Sequence, residues 1–182
     1  MFQIDFSILY KNNSLEEYQS AFRDENLQHG IFYDISTSSI FWNRAAVVIL
    51  PKAYAATAPM ALLCLLHKEA HGLSLWQKEW MHTTPTVEEF INKIIIWGRF
   101  TNTQGKNVTV GDFWVKYNDT IQGLISEPDI EFTIDGIVQK YTPILIENEL
   151  IQVICFDESW KEQNYLVETS NGWALFHWET AA

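Results

Sequence analysis

Between Ile130 and Glu179 the chain is a succession of short apolar, β-branched runs cut by turn signals: EFTI-DG-IVQKY, PILIENELIQVICF and NYLVET-SNG-WALFHW. Runs of this length and composition bury as strands, and an Asp-Gly pair between two of them closes a hairpin, because both central residues of a type I′ turn need φ > 0. Asp135-Gly136 predicts one hairpin, Ser170-Asn171-Gly172 a second and Glu147-Asn148-Glu149 a third. The last third of the chain is therefore expected to fold as one antiparallel meander.

The chain before it mixes strand and helix signals. Phe2 to Leu9 alternates apolar and polar, as a half-buried strand does. Ser14 and Glu17 form a capping box that opens a helix over Leu15 to Leu27, ahead of Gly30. Ile31–Ile35 and Ser39–Trp42 predict two strands joined by the STSS turn, and Ala46–Leu50 a further strand stopped by Pro51. Thr57 and Pro59 begin a helix that ends at His71-Gly72, whose apolar-all-round MALLCLL places it in the interior. Ser74–Met81 continues it as a short second piece. Thr86 and Glu89 cap another helix through Trp97, and Thr109–Leu124 is the last, with Phe113, Val115, Tyr117, Ile121 and Leu124 as its packing residues. The fold class expected is α+β: N-terminal strands, about four central helices and a C-terminal antiparallel β-meander with the helices packed on one face. Residues 1–182 read as a single domain, with Ser126-Glu127-Pro128-Asp129 the weak seam, near 126–129.

Charge separates the two parts. Residues 127–182 carry eleven acids against Lys140 and Lys161, a net −9, whereas residues 1–126 carry twelve acids and ten bases, a net −2. A field of that sign repels nucleic acid and anionic membrane and steers basic partners. No basic patch with interleaved aromatics is present, and no Walker A or dinucleotide glycine pattern. The apolar stretch Ala45–Leu66 is long enough to span a bilayer, but Pro51-Lys52 and Pro59 break it, which favours a buried strand followed by a buried helix. MFQIDFSILYKNN lacks the basic n-region, the long apolar core and the cleavage site of a signal peptide, so a cytoplasmic location is expected. Cys64 and Cys155 are too few for a disulfide framework and lie in apolar runs, as buried free thiols do.

These residues suggest several chemistries, each with a plainer alternative. Cys64, His67 and His71 share a helical face at spacings of three and four, which suits zinc, with His82 or Glu79 as a fourth ligand; the plainer reading is a buried thiol and two histidines at the wetter end. No metal or other cofactor is expected. A cysteine nucleophile needs an electropositive setting, which neither the leucine run around Cys64 nor Asp157 and Glu158 beside Cys155 supplies. Glu147 and Glu149 with Trp173 and Trp178 have the ingredients of a glycosidase site, against the plainer reading of solvated turn acids. Asp157-Glu-Ser-Trp-Lys-Glu162 joins two predicted strands. It reads as a contact loop with Trp160 as anchor and Asp157, Glu158 and Glu162 as electrostatic guides, or as an ordinary connection whose Trp160 folds back on the core.

In acidity and size the chain resembles bacterial immunity proteins, small acidic folds that neutralise a cognate toxin; the likeness covers composition and size and carries no residue over. It implies a non-catalytic protein that binds a basic partner, through Glu147, Glu149, Asp157, Glu158, Trp160 and Glu162. The alternatives are a hydrolase-type enzyme with a carboxylate or Cys/His site, and a structural or assembly subunit of a phage or secretion system.

Overall fold

The computed structural model describes residues 4–5, 29–37, 43–58, 60–62, 64–66, 68–69 and 104–180. Its strands are β1 (Ile4–Asp5), β2 (Ile31–Thr37), β3 (Asn43–Pro51), β4 (Gln104–Val108), β5 (Ile130–Ile134), β6 (Ile137–Val138), β7 (Leu150–Glu158), β8 (Glu162–Thr169) and β9 (Gly172–Thr180). Eight of them form one open antiparallel sheet, to whose edge the two-residue β1 adds, in the order β1-β4-β7-β8-β9-β3-β2-β5-β6. Two helices pack on the sheet: α1, whose described residues fall between 58 and 69, and α2 (Val110–Ile125).

The class is α+β as expected, but about four helices on one face is not what forms. Among the described residues there are two, and they lie on opposite faces. Along β9, Trp173 and Leu175 join the core beneath α1, while Ala174 and Phe176 join the core beneath α2. Strand β3 divides the same way, with Ala46, Val48 and Leu50 on the α1 side and Ala45 and Val47 on the α2 side. A strand covered on both faces reads as a continuous apolar run, not as an alternation, and AAVVIL and WALF are such runs. The helices expected over Leu15–Leu27, Ser74–Met81 and Thr86–Trp97 lie outside the described residues, as does the strand expected over Ser39–Trp42.

The C-terminal stretch is not one meander either. β7, β8 and β9 are consecutive neighbours, but the β5–β6 hairpin lies at the far edge, separated from β9 by β3 and β2. The Asp-Gly turn forms as predicted, with Asp135 at φ 48° and Gly136 at φ 79°. Between β6 and β7, Gln139 donates a last backbone bond to Phe132 of β5, residues 140–146 join no strand, and Glu147–Glu149 is a single 3-10 turn leading into β7 where a third hairpin was expected. This segment crosses the α2 face, burying Leu145 and packing Tyr141 and Ile144 on the same core as α2. Its apolar residues find partners by lying over the sheet, which removes the need to join it.

Helix α2 begins where its sequence says. Thr109 Oγ1 accepts from the Asp112 backbone N–H at 3.0 Å and donates to the Asp112 carboxylate at 2.7 Å, satisfying an orphan donor and placing an anion at the positive end of the helix. Phe113, Tyr117, Ile121 and Leu124, spaced four, four and three apart, face the sheet, whereas Val115, expected to pack, is 59% exposed. Phe113 and Tyr117 meet Tyr165 and Phe176 at ring-centroid distances of 5.1 and 5.2 Å respectively, in tilted and edge-on arrangements that favour aromatic pairs. Each of these buried side chains contributes about 1.5–3 kcal/mol from area alone. Ser126–Asp129 is the corner between α2 and β5.

Both cysteines are buried free thiols, as expected. Among the described residues no helix is long and apolar enough to cross a membrane, and the apolar stretch from Ala45 is divided between β3 and α1.

Two substitutions test this packing. Gly172 opens β9 against Pro51, and a Cβ there would lie 2.4 Å from the Leu50 carbonyl oxygen. Gly172→Ala should therefore cost about 1–3 kcal/mol in urea unfolding, the usual range for overpacking; an unchanged midpoint contradicts the close approach. Burial pushes the Cys64 thiol up to about 11 from an ordinary 9.0. Between those values the unfolded chain has lost a proton that the folded chain keeps, so stability falls as pH rises through this window, by on the order of 2–3 kcal/mol. Cys64→Ala should flatten that alkaline loss in pH-dependent melts.

Candidate functional site

The register of the sheet brings together charged residues that are scattered along the sequence. On the α1 face one cross-strand row runs Glu131, Ser36, Arg44, Glu179, Glu162. The next runs Thr133, Asp34, Ala46, His177, Asn164, Asp157. Beyond them the rows turn apolar, beginning with Phe32, Val48, Leu175 and Leu166. One half of this face is thus core and the other half polar, and α1 delivers Glu69 to the polar half.

Most of the polar half is buried: Asp34, Arg44, Glu69, Asn164 and His177 are each below 5% exposed. Charges so far from water need partners. Arg44 Nε donates to Asp34 Oδ1 at 2.6 Å, its Nη1 lies 3.6 Å from Glu179, and its guanidinium lies 5.8 Å from the centre of the Phe32 ring. His177 Nδ1 meets Glu69 Oε1 at 2.7 Å, joining β9 to α1, and Asn164 Nδ2 donates to Glu162 at 2.8 Å. Among the described residues His177 Nε2 has no hydrogen-bond partner, and it faces Glu162 and Glu179 at 3.8 and 3.9 Å. Burial pushes the pKa of Asp34 up, against the downward pull of Arg44. The sequence reading missed Asp34, Arg44, Glu69 and His177. The available signal was a charged residue in the inward phase of a strand, as in IFYDIS and WALFHW, and it becomes a signal only once both faces are known to be covered.

The six residues expected to meet a partner do not form one patch. Glu147 and Glu149 precede β7, while Asp157, Glu158, Trp160 and Glu162 lie at and beyond its other end. Residues 150–156 of β7 separate the groups, which sets Glu149 and Asp157 about 26 Å apart at the usual rise per residue. Trp160 does not fold back on the core; it is 69% exposed, with Lys161 Nζ 4.5 Å from its ring centre. Its flanking acids are partly engaged. Glu158 pairs with Lys116 of α2, and Glu162 turns inward to Asn164. Elsewhere Glu168 pairs with Lys52 at 2.7 Å and Asp135 with Lys68 at 2.9 Å. Glu127, Glu131, Glu147, Glu149 and Asp157 have no ion pair among the described residues.

Among the described residues no zinc, thiol-nucleophile or glycosidase site assembles. His67 and His71 lie outside the described residues, and among those described no group of three metal-binding side chains is found. Burial raises the pKa of both thiols, the reverse of what a nucleophile needs. Trp173 is buried on the α1 side, donating to the Ala55 carbonyl at 2.9 Å, so it is no platform for a sugar at Glu147 and Glu149. Compared with protein-family models, curated proteins and solved structures, the chain matches none. Its chemistry has to be read from its own residues.

Breaking the Glu69–His177 pair leaves the other group buried without its partner. Glu69→Ala or His177→Ala should each lower stability by about 3 kcal/mol, and a double change to Leu at both positions should recover part of that loss. Equal and additive losses would show that the two side chains do not couple.

Proposed function

We propose that this chain is a non-catalytic, immunity-protein-like inhibitor that binds and neutralises a basic protein in the cytoplasm. The observation that carries the reading is Trp160, a large aromatic held 69% exposed on the turn between β7 and β8. Exposed tryptophans of this kind anchor interfaces. Supporting it are a net charge of −11 and the carboxylates of Glu127, Glu131, Glu147, Glu149 and Asp157, which have no ion pair among the described residues. A partner held this way is steered in by long-range attraction, and salt screens that attraction.

A hydrolase-type enzyme is the second reading, and one observation favours it. Glu69 fixes the Nδ1 side of His177, as a carboxylate orients a general base, with Nε2 buried beside Glu162 and Glu179. Turnover of ester, peptide or glycoside substrates that disappears in His177→Gln would establish it.

The leading reading is tested by capture from the native host, with the bound proteins identified by mass spectrometry at low and high salt. A basic partner should be retained at low salt and weakened about tenfold or more at high salt. Trp160→Ala and Asp157→Lys should each reduce its retention. Recovery of acidic proteins alone, or retention indifferent to salt and to both substitutions, rejects the reading.

A further inference from the structure

Helix α2 and the crossing segment 139–149 lie over the same sheet face, and between them runs a groove of about 810 Å³. Trp114, Tyr117 and Ile121 form one wall, Tyr141 and Leu145 the other, and Glu147 stands in the lining with them. A space of this size is within the range of sites that hold a ligand, and it exceeds what one side chain fills.

Three features of the lining define the occupant. Tyr117 is 3% exposed; the Leu145 backbone N–H is directed at its hydroxyl oxygen, but no acceptor takes the hydroxyl proton among the described residues, and burial pushes its pKa up, so it keeps a proton to donate. A purely apolar occupant would leave that donor unsatisfied, which is costly in a buried position. Trp114 and Tyr141 supply aromatic surface, with the Trp114 ring centre 5.5 Å from that of Tyr117. Aromatic faces attract ammonium and guanidinium groups. Finally, the lining holds one carboxylate, Glu147, which is exposed and has no ion pair among the described residues, and it holds no Lys, Arg or His. A phosphate or carboxylate ligand would meet no cation there.

We propose that this groove is where the basic partner docks, through a peptide segment that lays a Lys or Arg side chain against Trp114 and Tyr141. The cationic group ends at Glu147, and a backbone carbonyl of the segment accepts from Tyr117 Oη. This rests on the basic-partner reading above and adds to it a second contact of stated chemistry, at the opposite end of β7 from the Trp160 anchor.

The test is an NMR titration of the intact chain with a short amidated peptide of Gly, Leu and Arg, and with the same peptide carrying neutral citrulline in place of Arg. Saturable shifts are expected at the Trp114 indole N–H and at the side-chain amides of Asn118 and Asn148. Affinity should fall about tenfold with citrulline and with Glu147→Gln, and several-fold with Tyr117→Phe. Glu147→Gln changes an exposed residue, so its loss of binding is not a loss of fold. Absence of shifts at millimolar peptide, equal binding of the citrulline peptide, or shifts confined to residues 157–162 each overturn the groove as the docking site. A host partner that binds Glu147→Gln and Trp114→Leu undiminished but loses Trp160→Ala overturns the groove alone and leaves the basic-partner reading in place. If no basic partner is captured at all, that reading falls, and the titration still decides whether the groove takes basic peptide.

Discussion

The structure depends on two-sided burial of its central strands. In β3, β9 and β8 successive residues enter different cores, one beneath α1 and one beneath α2. An antiparallel sheet more often keeps one face wet. Here neither face of the central strands is released to solvent, so each needs something laid over it. On one side α1 supplies that cover, and on the other α2 and the crossing segment share it. The groove is a consequence of this sharing, since two elements side by side on a sheet leave a furrow where their surfaces diverge.

The same requirement explains the buried polar half of the α1 face. Antiparallel register sets Arg44 beside Ser36 and Glu179, and His177 beside Ala46 and Asn164. These side chains cannot reverse to the other face without taking their neighbours with them. Asp34 and Glu69 therefore answer Arg44 and His177 in place, at short distances. Such pairs contribute little net stability compared with apolar residues of the same volume, but each partner is costly to remove. Their effect is to fix the position of α1 against β9, and with it the core beneath the helix.

Much of the fold was legible in particular residues. Asp135-Gly136 announced its turn because only an unusual pair of backbone angles closes so short a hairpin. Thr109 announced the start of α2, and the spacing of Phe113, Tyr117, Ile121 and Leu124 announced its buried stripe. The acidic candidates were legible as residues but not as a site. Glu147 and Asp157 are ten positions apart in the sequence, and an extended strand between them turns that short separation into opposite ends of the sheet. In the other direction, Asp34 and His177 are far apart in sequence and share one cross-strand row.

Local chemistry, then, was settled by the sequence: where turns fall, where α2 is capped, which runs are apolar enough to become strands, and how much negative charge the last third carries. These depend on neighbours within a few positions, through backbone angles, caps and side-chain periodicity. Strand order was decided only in three dimensions, because every apolar run from β2 to β9 is compatible with several partners, and the choice is made by which pairing covers both faces at once. The insertion of β2 and β3 between β9 and β5, the conversion of the expected third hairpin into a crossing segment and the groove beside α2 all follow from that choice. No run of ten residues contains the information, since it resides in what lies above and below the sheet.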